Sequence, residues 1–440
     1  MRFSELEGLR VGIWGLGREG LATARAIGAR LPGTRPLLVD EGAPPPGLEV
    51  SSDPADLLAC DVVVRSPGIS RYRPEALRLA GAGVRLTTGT NLWFAEHPDA
   101  LTIGVTGTKG KSTTSALIAH LASAQGLRVR LAGNIGTPLV DLLDEVPGAV
   151  DLWVLELSSF QTSDLDASPR VGVLLNLYRE HTDWHGTQER YWDDKLALFA
   201  HRPDMRSVVN AADPAIRARA GAFPHPVWFR APEGFDVAPS GITRAGRPHL
   251  ARAAIPLAGD HNLDNVCAAL AALEAAGVEV ADPAAALAGF RPLAHRFEPL
   301  GEAGGVLYVN DSIATIPEAT VAAARALEPR PTVLLVGGRD RAQDYAPLAD
   351  HLGAGSAVVG VVGMPANGPA ILARLGDAPV AREMADDLPD AVRRARAMVP
   401  PGGAVLLSPG APSGDDFADF QVRGDAFRAL VADIGDRPAP

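Results

Sequence analysis

Short apolar runs that close on a glycine-rich or polar turn, each followed by a helical stretch, recur along the chain. LRVGIWGLG runs into REGLATARAIGAR, and ALTIGVTGTKG into KSTTSALIAHLASAQ. DLWVLELSS, PRVGVLLNL, GVLYVNDS, PTVLLVGG, SAVVGVVG and GAVLLSPG read as further strands, apolar on both faces. Such strands alternating with helices predict parallel sheets in an α/β fold. The strand-loop-helix unit starts afresh near Val11, Leu101 and Val306, with the punctuation AEHPDA and GFRPLAHRFEPLG between the starts. Three α/β domains are therefore expected: a Rossmann-like one over 1–96, a central P-loop ATPase-like one over 97–291, and a second Rossmann-like one over 292–440. Residues 220–254, rich in Gly, Pro and Arg, read as loops and short strands.

Composition changes this picture little. At 440 residues, 47% hydrophobic but only 5% aromatic, the chain can fill several cores, mostly with Ala, Val and Leu. A net charge of -11 argues against a general nucleic-acid or membrane-surface binder, both of which want a basic face. A polyphosphate ligand remains compatible, because a local nest of amides with a lysine can hold one. Cys60 and Cys267 make no metal pattern and read as small buried residues in a reducing compartment. No run approaches the ~18 apolar residues of a membrane span, and MRFSELEGLR has acids where a signal peptide wants basic residues. A cytoplasmic monomer with neither nucleic acid nor membrane as partner is expected.

Candidate chemistry begins at GVTGTKGKSTT, which follows a strand and opens a helix. The amides of such a loop point inward at a phosphate, and the helix N-terminus adds partial positive charge. Lys111 would reach the β- and γ-phosphates of ATP, while Ser112 or Thr113 offers a hydroxyl to Mg²⁺. The spacing departs from the strict Walker form, since Val105 occupies its first glycine position. A flexible turn with an incidental lysine is the bland alternative, and the strand-to-helix context weighs against it. Nucleotide binding follows from this loop; reaction type does not. Gly15-x-Gly17-x-x-Gly20, with Asp40 further on, fits the dinucleotide fingerprint, and alone it would favour a dehydrogenase. Glu156 ends a buried strand, where an isolated carboxylate is costly. Lys195, beside Asp193 and Asp194, reads from its neighbours as part of a solvated helix face, and His181 as a surface loop histidine.

GVTGTKGKSTT, GNIG (133–136), ELSSFQT (156–162), EHTDWH followed by Lys195, GDHNLDN (259–265), HRFE (295–298) and NDS (310–312) occur in the order found in the Mur ligase family. Across essentially its whole length the chain resembles this family, and within it the glutamate-adding branch. The resemblance implies an N-terminal domain for the UDP-sugar, a central one for ATP and metal, and a C-terminal one that takes the amino acid and closes over the site. It implies UDP-N-acetylmuramoyl-L-alanine and glutamate as substrates, with ATP and two Mg²⁺ ions. The γ-phosphoryl group would pass to the substrate carboxylate, and the amine would then attack the acyl phosphate.

Residue by residue, the resemblance makes Gly107, Thr108, Lys109, Gly110, Lys111, Ser112 and Thr113 the ATP loop, with Asn262 and Asn265 near the adenine. Arg296 would contact the nucleotide and Asp311 its ribose, against a helix-cap reading of Asp311 or Ser312. Ser112, Glu156, His181 and a carbamylated Lys195 would be metal ligands, and Lys111, Glu156, His181 and Lys195 the catalytic set. Gly15, Leu16, Gly17, Asp40, Ser66, Pro67, Gly68 and Asn134 would line the UDP-sugar site. His185 has no counterpart and reads as ordinary. Ile313, Thr315, Arg341, Ser413 and Phe420 fall where the acceptor amino acid binds.

Two departures matter. Where D-glutamate-adding members carry NDSKATN, this chain reads NDSIATIPEAT, so Ile313 stands in place of a lysine. Losing a cation that faces a carboxylate is costly unless another replaces it, and Arg339 and Arg341 are the replacements in sight. The NDSIAT pattern resembles the branch that joins L-glutamate, which makes L-glutamate the expected acceptor and D-glutamate the alternative. Lys109 replaces the usual Asn, with no role legible. A folylpolyglutamate-synthase-like ligase lacks the N-terminal GLG unit, and a nucleotide-dependent switch leaves Glu156, His181 and Lys195 without a purpose.

Overall fold

The computed structural model of the chain describes residues 1–435 apart from 43, 46, 146–147, 258, 292, 341–342 and 415. It divides into two compact units, Met1–Phe290 and Arg291–Pro440.

The first unit holds two parallel sheets. One has the order β2-β1-β3-β4, with β1 Val11–Trp14, β2 Leu37–Val39, β3 Val62–Arg65 and β4 Arg85–Thr87. The other has the order β10-β9-β8-β5-β7-β6, from β5 Thr102–Thr106, β6 Val129–Gly133, β7 Leu152–Glu156, β8 Val171–Leu174, β9 Arg206–Asn210 and β10 Pro226–Phe229. Every residue of β1, β3, β5, β7 and β8 is buried, as unbroken apolar runs covered by helices on both faces require. A single apolar cluster runs from Ile13 and Val62 through Trp93 and Trp153 to Leu174, so the two sheets share a core. Trp93 meets Trp153 edge-on, ring centroids 4.9 Å apart. The Gly/Pro/Arg-rich segment forms a small antiparallel sheet, β11 Phe235–Ala238, β12 Gly241–Arg244 and β13 Arg247–Ala251.

The second unit is built on one sheet of order β14-β15-β19-β16-β17-β18: β14 Glu298–Ala303, β15 Val306–Asn310, β16 Thr332–Val336, β17 Val358–Gly363, β18 Ala381–Met384 and β19 Ala404–Leu407. Alternate residues feed two cores. Tyr308, Val333, Leu335, Val405 and Leu407 face one side, and Val309, Leu334, Val336 and Leu406 the other. Only β14 is antiparallel. It joins β15 through Gly304 and Gly305, both at positive φ, the geometry a tight two-residue hairpin demands. No helix among the described residues is long and apolar enough to cross a membrane.

Candidate functional site

The phosphate loop lies between β5 and the helix Lys111–Ala124. Gly110 sits at the helix N-cap with φ 84° and offers no side-chain cap hydrogen bond. A Cβ at Gly110 would collide with Asn265 Oδ1, and Asn265 Oδ1 also accepts from Thr114 Oγ1 at 3.2 Å. Asn265 Nδ2 donates to Asn262 Oδ1 at 2.9 Å, so Asn265 ties the GDHNLDN segment to the first turn of the helix after the loop.

Asn176, just past β8, braces the other side. Its Oδ1 accepts from Lys109 N at 2.8 Å, its Nδ2 donates to Lys109 O at 3.1 Å, and its O accepts from Thr108 N at 3.0 Å. Thr108 Oγ1 takes Tyr178 N and Tyr191 OH, at 3.0 and 3.1 Å. Asn176 escaped the sequence reading, although a polar residue at the carboxyl end of a parallel strand is where a ligand-side brace belongs. Lys109 pairs with Glu180, Nζ to Oε1 2.6 Å. Burial pushes the Glu180 carboxyl up, but Lys109, with His181 and Lys111, holds it below the usual range.

Two lysine side chains converge on Gly107 O, Lys111 Nζ at 3.0 Å and Lys195 Nζ at 2.9 Å, and Lys111 also donates to Thr108 O at 3.1 Å. Lys195 is not on a solvated face: it is 1% exposed, with Nζ 4.7 Å from the centroid of the Tyr191 ring. Burial, and then Lys111, drives its pKa far below the ordinary lysine value, which favours a neutral, nucleophilic amine.

Glu156 ends β7 and is 1% exposed, so it does not face solvent. Asn134 Nδ2 donates to its Oε1 at 2.8 Å, whereas Oε2 is buried without a protein partner. An unmatched buried carboxylate oxygen beside a phosphate loop fits a cation. Ser112 is buried in the first turn of the loop helix. His181 is half exposed, at φ 52°, and caps the short helix Thr182–His185, its ring 5.0 Å from Phe160 and 6.0 Å from Tyr191. Among the described residues no three His, Cys, Asp or Glu side chains form a ready-made metal cluster.

The histidine that looked ordinary is the most enclosed. His185 is 0% exposed, with Nδ1 2.5 Å from Asp194 Oδ2 and Nε2 3.0 Å from Ser159 Oγ. Tyr72 OH donates to Asp194 Oδ1 at 2.7 Å. All four groups are satisfied if Nδ1 carries the proton and Nε2 accepts from Ser159. This buried chain joins the residue before Lys195 to the segment after Glu156 and to the loop after β3. Ser70 Oγ donates to Trp184 O at 2.8 Å and Trp184 Nε1 to Gly68 O at 3.1 Å, clasping the loop after β3 to the helix Thr182–His185. No local spacing announces these partners, which lie far apart in sequence.

At the carboxyl ends of the first sheet, Gly15 has φ 90° and a Cβ on Gly20 would strike Gly15 O, so both glycines are needed for the close turn and helix approach. Asp40 accepts from Leu16 N at 2.5 Å and Gly42 N at 2.7 Å, and Ser66 Oγ donates to Gly15 O at 2.6 Å. Gly17 caps the helix Arg18–Arg30, and Pro67 and Gly68 follow Ser66 on the neighbouring loop.

In the second unit, Asp311 is buried and bonded within its own fold: Phe297 N donates to Oδ1 at 3.0 Å and Ser408 Oγ to Oδ2 at 2.9 Å. Burial lifts its carboxyl pKa to about 7. Arg296 N bonds Leu293 O at 3.1 Å. Ile313 is half-buried, its N donating to His295 O at 3.1 Å; Thr315 O accepts from Gln343 Nε2 at 2.6 Å; Phe420 O accepts from Ser312 Oγ at 2.8 Å. Arg341 lies outside the described residues.

A phosphate loop beside a buried, half-matched carboxylate and a buried amine is an arrangement suited to a nucleoside triphosphate. Residues 105–273 match the Mur ligase middle domain and residues 295–410 the Mur ligase, glutamate ligase domain. The chain belongs to the Mur ligase family. It is 44% identical to a UDP-N-acetylmuramoyl-L-alanine--L-glutamate ligase of Micromonospora sp., covering 100% of both chains, and 43% identical to one of Xanthomonas campestris pv. campestris, covering 98% of this chain and 97% of the relative. The fold is shared with the MurF ligase of Thermotoga maritima solved in complex with ADP, at a TM-score of 0.61 and 18% identity over 98% of this chain and 97% of that one.

Proposed function

We propose that this chain is an ATP-dependent ligase that joins L-glutamate to UDP-N-acetylmuramoyl-L-alanine through an acyl phosphate, in peptidoglycan synthesis. The observation that carries the acceptor is the end-to-end likeness to L-glutamate ligases, with Ile313 where a D-glutamate enzyme would need a lysine. We assign 1–96 to the sugar nucleotide, 97–291 to ATP and metal, and 292–440 to the amino acid, and place the work in the cytoplasm.

The loop amides and Lys111 hold the ATP phosphates and draw charge from the γ-phosphoryl group as it moves to the sugar-linked carboxylate. The amine of glutamate then displaces phosphate, leaving an amide. Positioning of two reactants is most of what the protein must supply. Ser112, Glu156, His181 and Lys195 would hold Mg²⁺, which supplies charge neutralisation when bound; the unmatched Glu156 Oε2 supports this. For Lys195 the buried, neutral amine is the form that adds CO₂ and releases a proton to become a carbamate, turning a cation into an oxygen ligand.

The test is phosphate release with UDP-N-acetylmuramoyl-L-alanine, ATP and each glutamate enantiomer separately. Turnover is expected with the L-form; turnover confined to the D-form overturns the acceptor assignment.

A further inference from the structure

The chain holds three lysines among its 41 basic residues, Lys109, Lys111 and Lys195, and all three stand at the phosphate loop. The third reaches it from a separate helix, Gln188–Leu196, which buries Tyr191, Asp194 and Lys195. Two of these side chains grip the loop, Tyr191 OH on Thr108 Oγ1 at 3.1 Å and Lys195 Nζ on Gly107 O at 2.9 Å. Asp194 does not. It stands about 100° around the helix from Lys195 and meets Tyr72 OH at 2.7 Å and His185 Nδ1 at 2.5 Å, while His185 Nε2 takes Ser159 Oγ at 3.0 Å.

Packing alone holds this helix loosely. In QERYWDDKL only Tyr191, Trp192 and Leu196 are apolar, and apolar contact has no preferred direction. A turn of ~20° moves an atom ~6 Å from the axis by about 2 Å, enough to lose a hydrogen bond. Asp194 supplies the missing direction. Its side chain is 8% exposed, so its two donors are not replaced by bulk water. His185 in turn cannot swing, since the rings of Phe160, Trp184 and Tyr191 stand 5.6, 4.4 and 5.1 Å from its own. Its far partner, Ser159, lies just past Glu156, and Tyr72 lies on the loop after β3. A fully satisfied buried chain of this kind specifies one geometry.

We propose that Asp194 is a positioning residue of the ligation reaction: held by Tyr72 and His185, it fixes the rotation of the helix so that the Lys195 side chain stands on Gly107 O beside Lys111. Its contribution is geometry, delivered through Lys195. This rests on the reading that Lys195 works at the phosphate loop.

Asp194→Ala, Asp194→Asn and Tyr72→Phe in the full chain are compared with wild type by initial rates, varying each substrate in turn, with thermal unfolding alongside. A second readout needs no turnover. Because the chain has three lysines, acetylation by acetic anhydride in bicarbonate-free buffer without ATP, quantified by mass spectrometry, reports how open Lys195 is relative to Lys111. The alanine variant is expected to lower kcat about a hundredfold, as a misplaced group does, and to change the KM values by less than about threefold. Its ratio of Lys195 to Lys111 labelling should rise about tenfold, as the loss of hydrogen bonds to a charged group implies. The asparagine variant still accepts from Tyr72, and its NH₂ can donate to His185 in the opposite tautomer. It should keep kcat within about fivefold of wild type and leave the labelling ratio unchanged.

A folded alanine variant with wild-type kcat, or with Lys195 labelled no more than in wild type, overturns the proposal. So does an asparagine variant as slow as the alanine one, which would make the charge the working feature. If the alanine variant does not fold, Tyr72→Phe decides: a severalfold lower kcat with raised Lys195 labelling is expected, and unchanged values overturn the proposal. Wild-type protein that releases no phosphate with glutamate would remove the functional reading beneath it, and the labelling ratio would then decide the positioning on its own.

Discussion

At the phosphate loop, the side-chain nitrogens of Lys111 and Lys195 meet on Gly107 O with Glu156 and Glu180 within electrostatic reach; at the carboxyl edge of the second unit's sheet, the Arg423 guanidinium sits among carbonyls with no ion pair among the described residues. Both regions bury positive charge, but they resolve it differently. In the first, the weaker member gives way: Lys195, crowded by burial and by Lys111, is driven toward the neutral amine. In the second, an arginine cannot give way, because its pKa stays far above neutrality even when lowered. A lysine at such a place is suited to change its chemistry, whereas an arginine is suited to keep its charge.

Replacing Lys195 breaks the first half of this comparison and carries the largest expected effect. Lys195→Ala removes the amine from Gly107 O while Lys111 stays, and turnover should fall about a thousandfold, the loss typical of removing a charge-stabilising group from a reacting centre. If a carbamate is the working form, short-chain carboxylic acids should restore part of the activity by supplying the missing oxygens. Variant activity near wild type would sink the assignment. Absence of restoration would leave Lys195 acting only as an amine.

The two halves were not equally legible. GVTGTKGKSTT announces itself because glycine, lysine and hydroxyl spacing within one turn is a local property, and the loop sits where a strand feeds a helix. Glu156 was also within reach as the end of a buried strand, and Asn134 through the resemblance that GNIG carries. Lys195 was misread on its neighbours: Asp193 and Asp194 suggest a wet face, yet Asp194 is turned inward by Tyr72 and His185. Those partners come from residues 122 and 9 positions away, and no periodicity encodes such a meeting. Arg423 was invisible for the same reason, since its carbonyl partners belong to three separate strand ends. Lys109, which had no legible role, finds it in Glu180.

The buried chain beside Lys195 offers a smaller effect and sharpens the contrast, since it fixes position through hydrogen bonds between side chains. His185→Ala would leave Asp194 Oδ2 and Ser159 Oγ unmatched inside the protein, at a cost of about 3 kcal/mol. Tyr72→Phe removes one hydroxyl from Asp194 and should cost about 1 kcal/mol. Denaturant unfolding of the two variants checks the ranking. Equal stability in both would mean that the chain is not the constraint the distances suggest.

The smallest effect is a slope with pH, and it belongs to the second unit. Asp311 lies next to Ser312, which Arg423 grips, yet it is lifted to about 7 by burial while Ser408 and the Phe297 amide pull it down. A folded-state pKa above the unfolded value of 3.8 means that the native chain binds the proton more tightly. Its contribution is therefore complete below about pH 4, shrinks as pH rises, and is gone above about pH 7. One proton sets the limit, about 1 kcal/mol per pH unit at the steepest. Asp311→Asn should flatten unfolding free energy between pH 4 and 7, so that the variant gains on wild type as pH rises. Parallel profiles would show that the carboxyl stays ionised throughout, and hence that Ser408, the Phe297 amide and Arg296 together outweigh its burial.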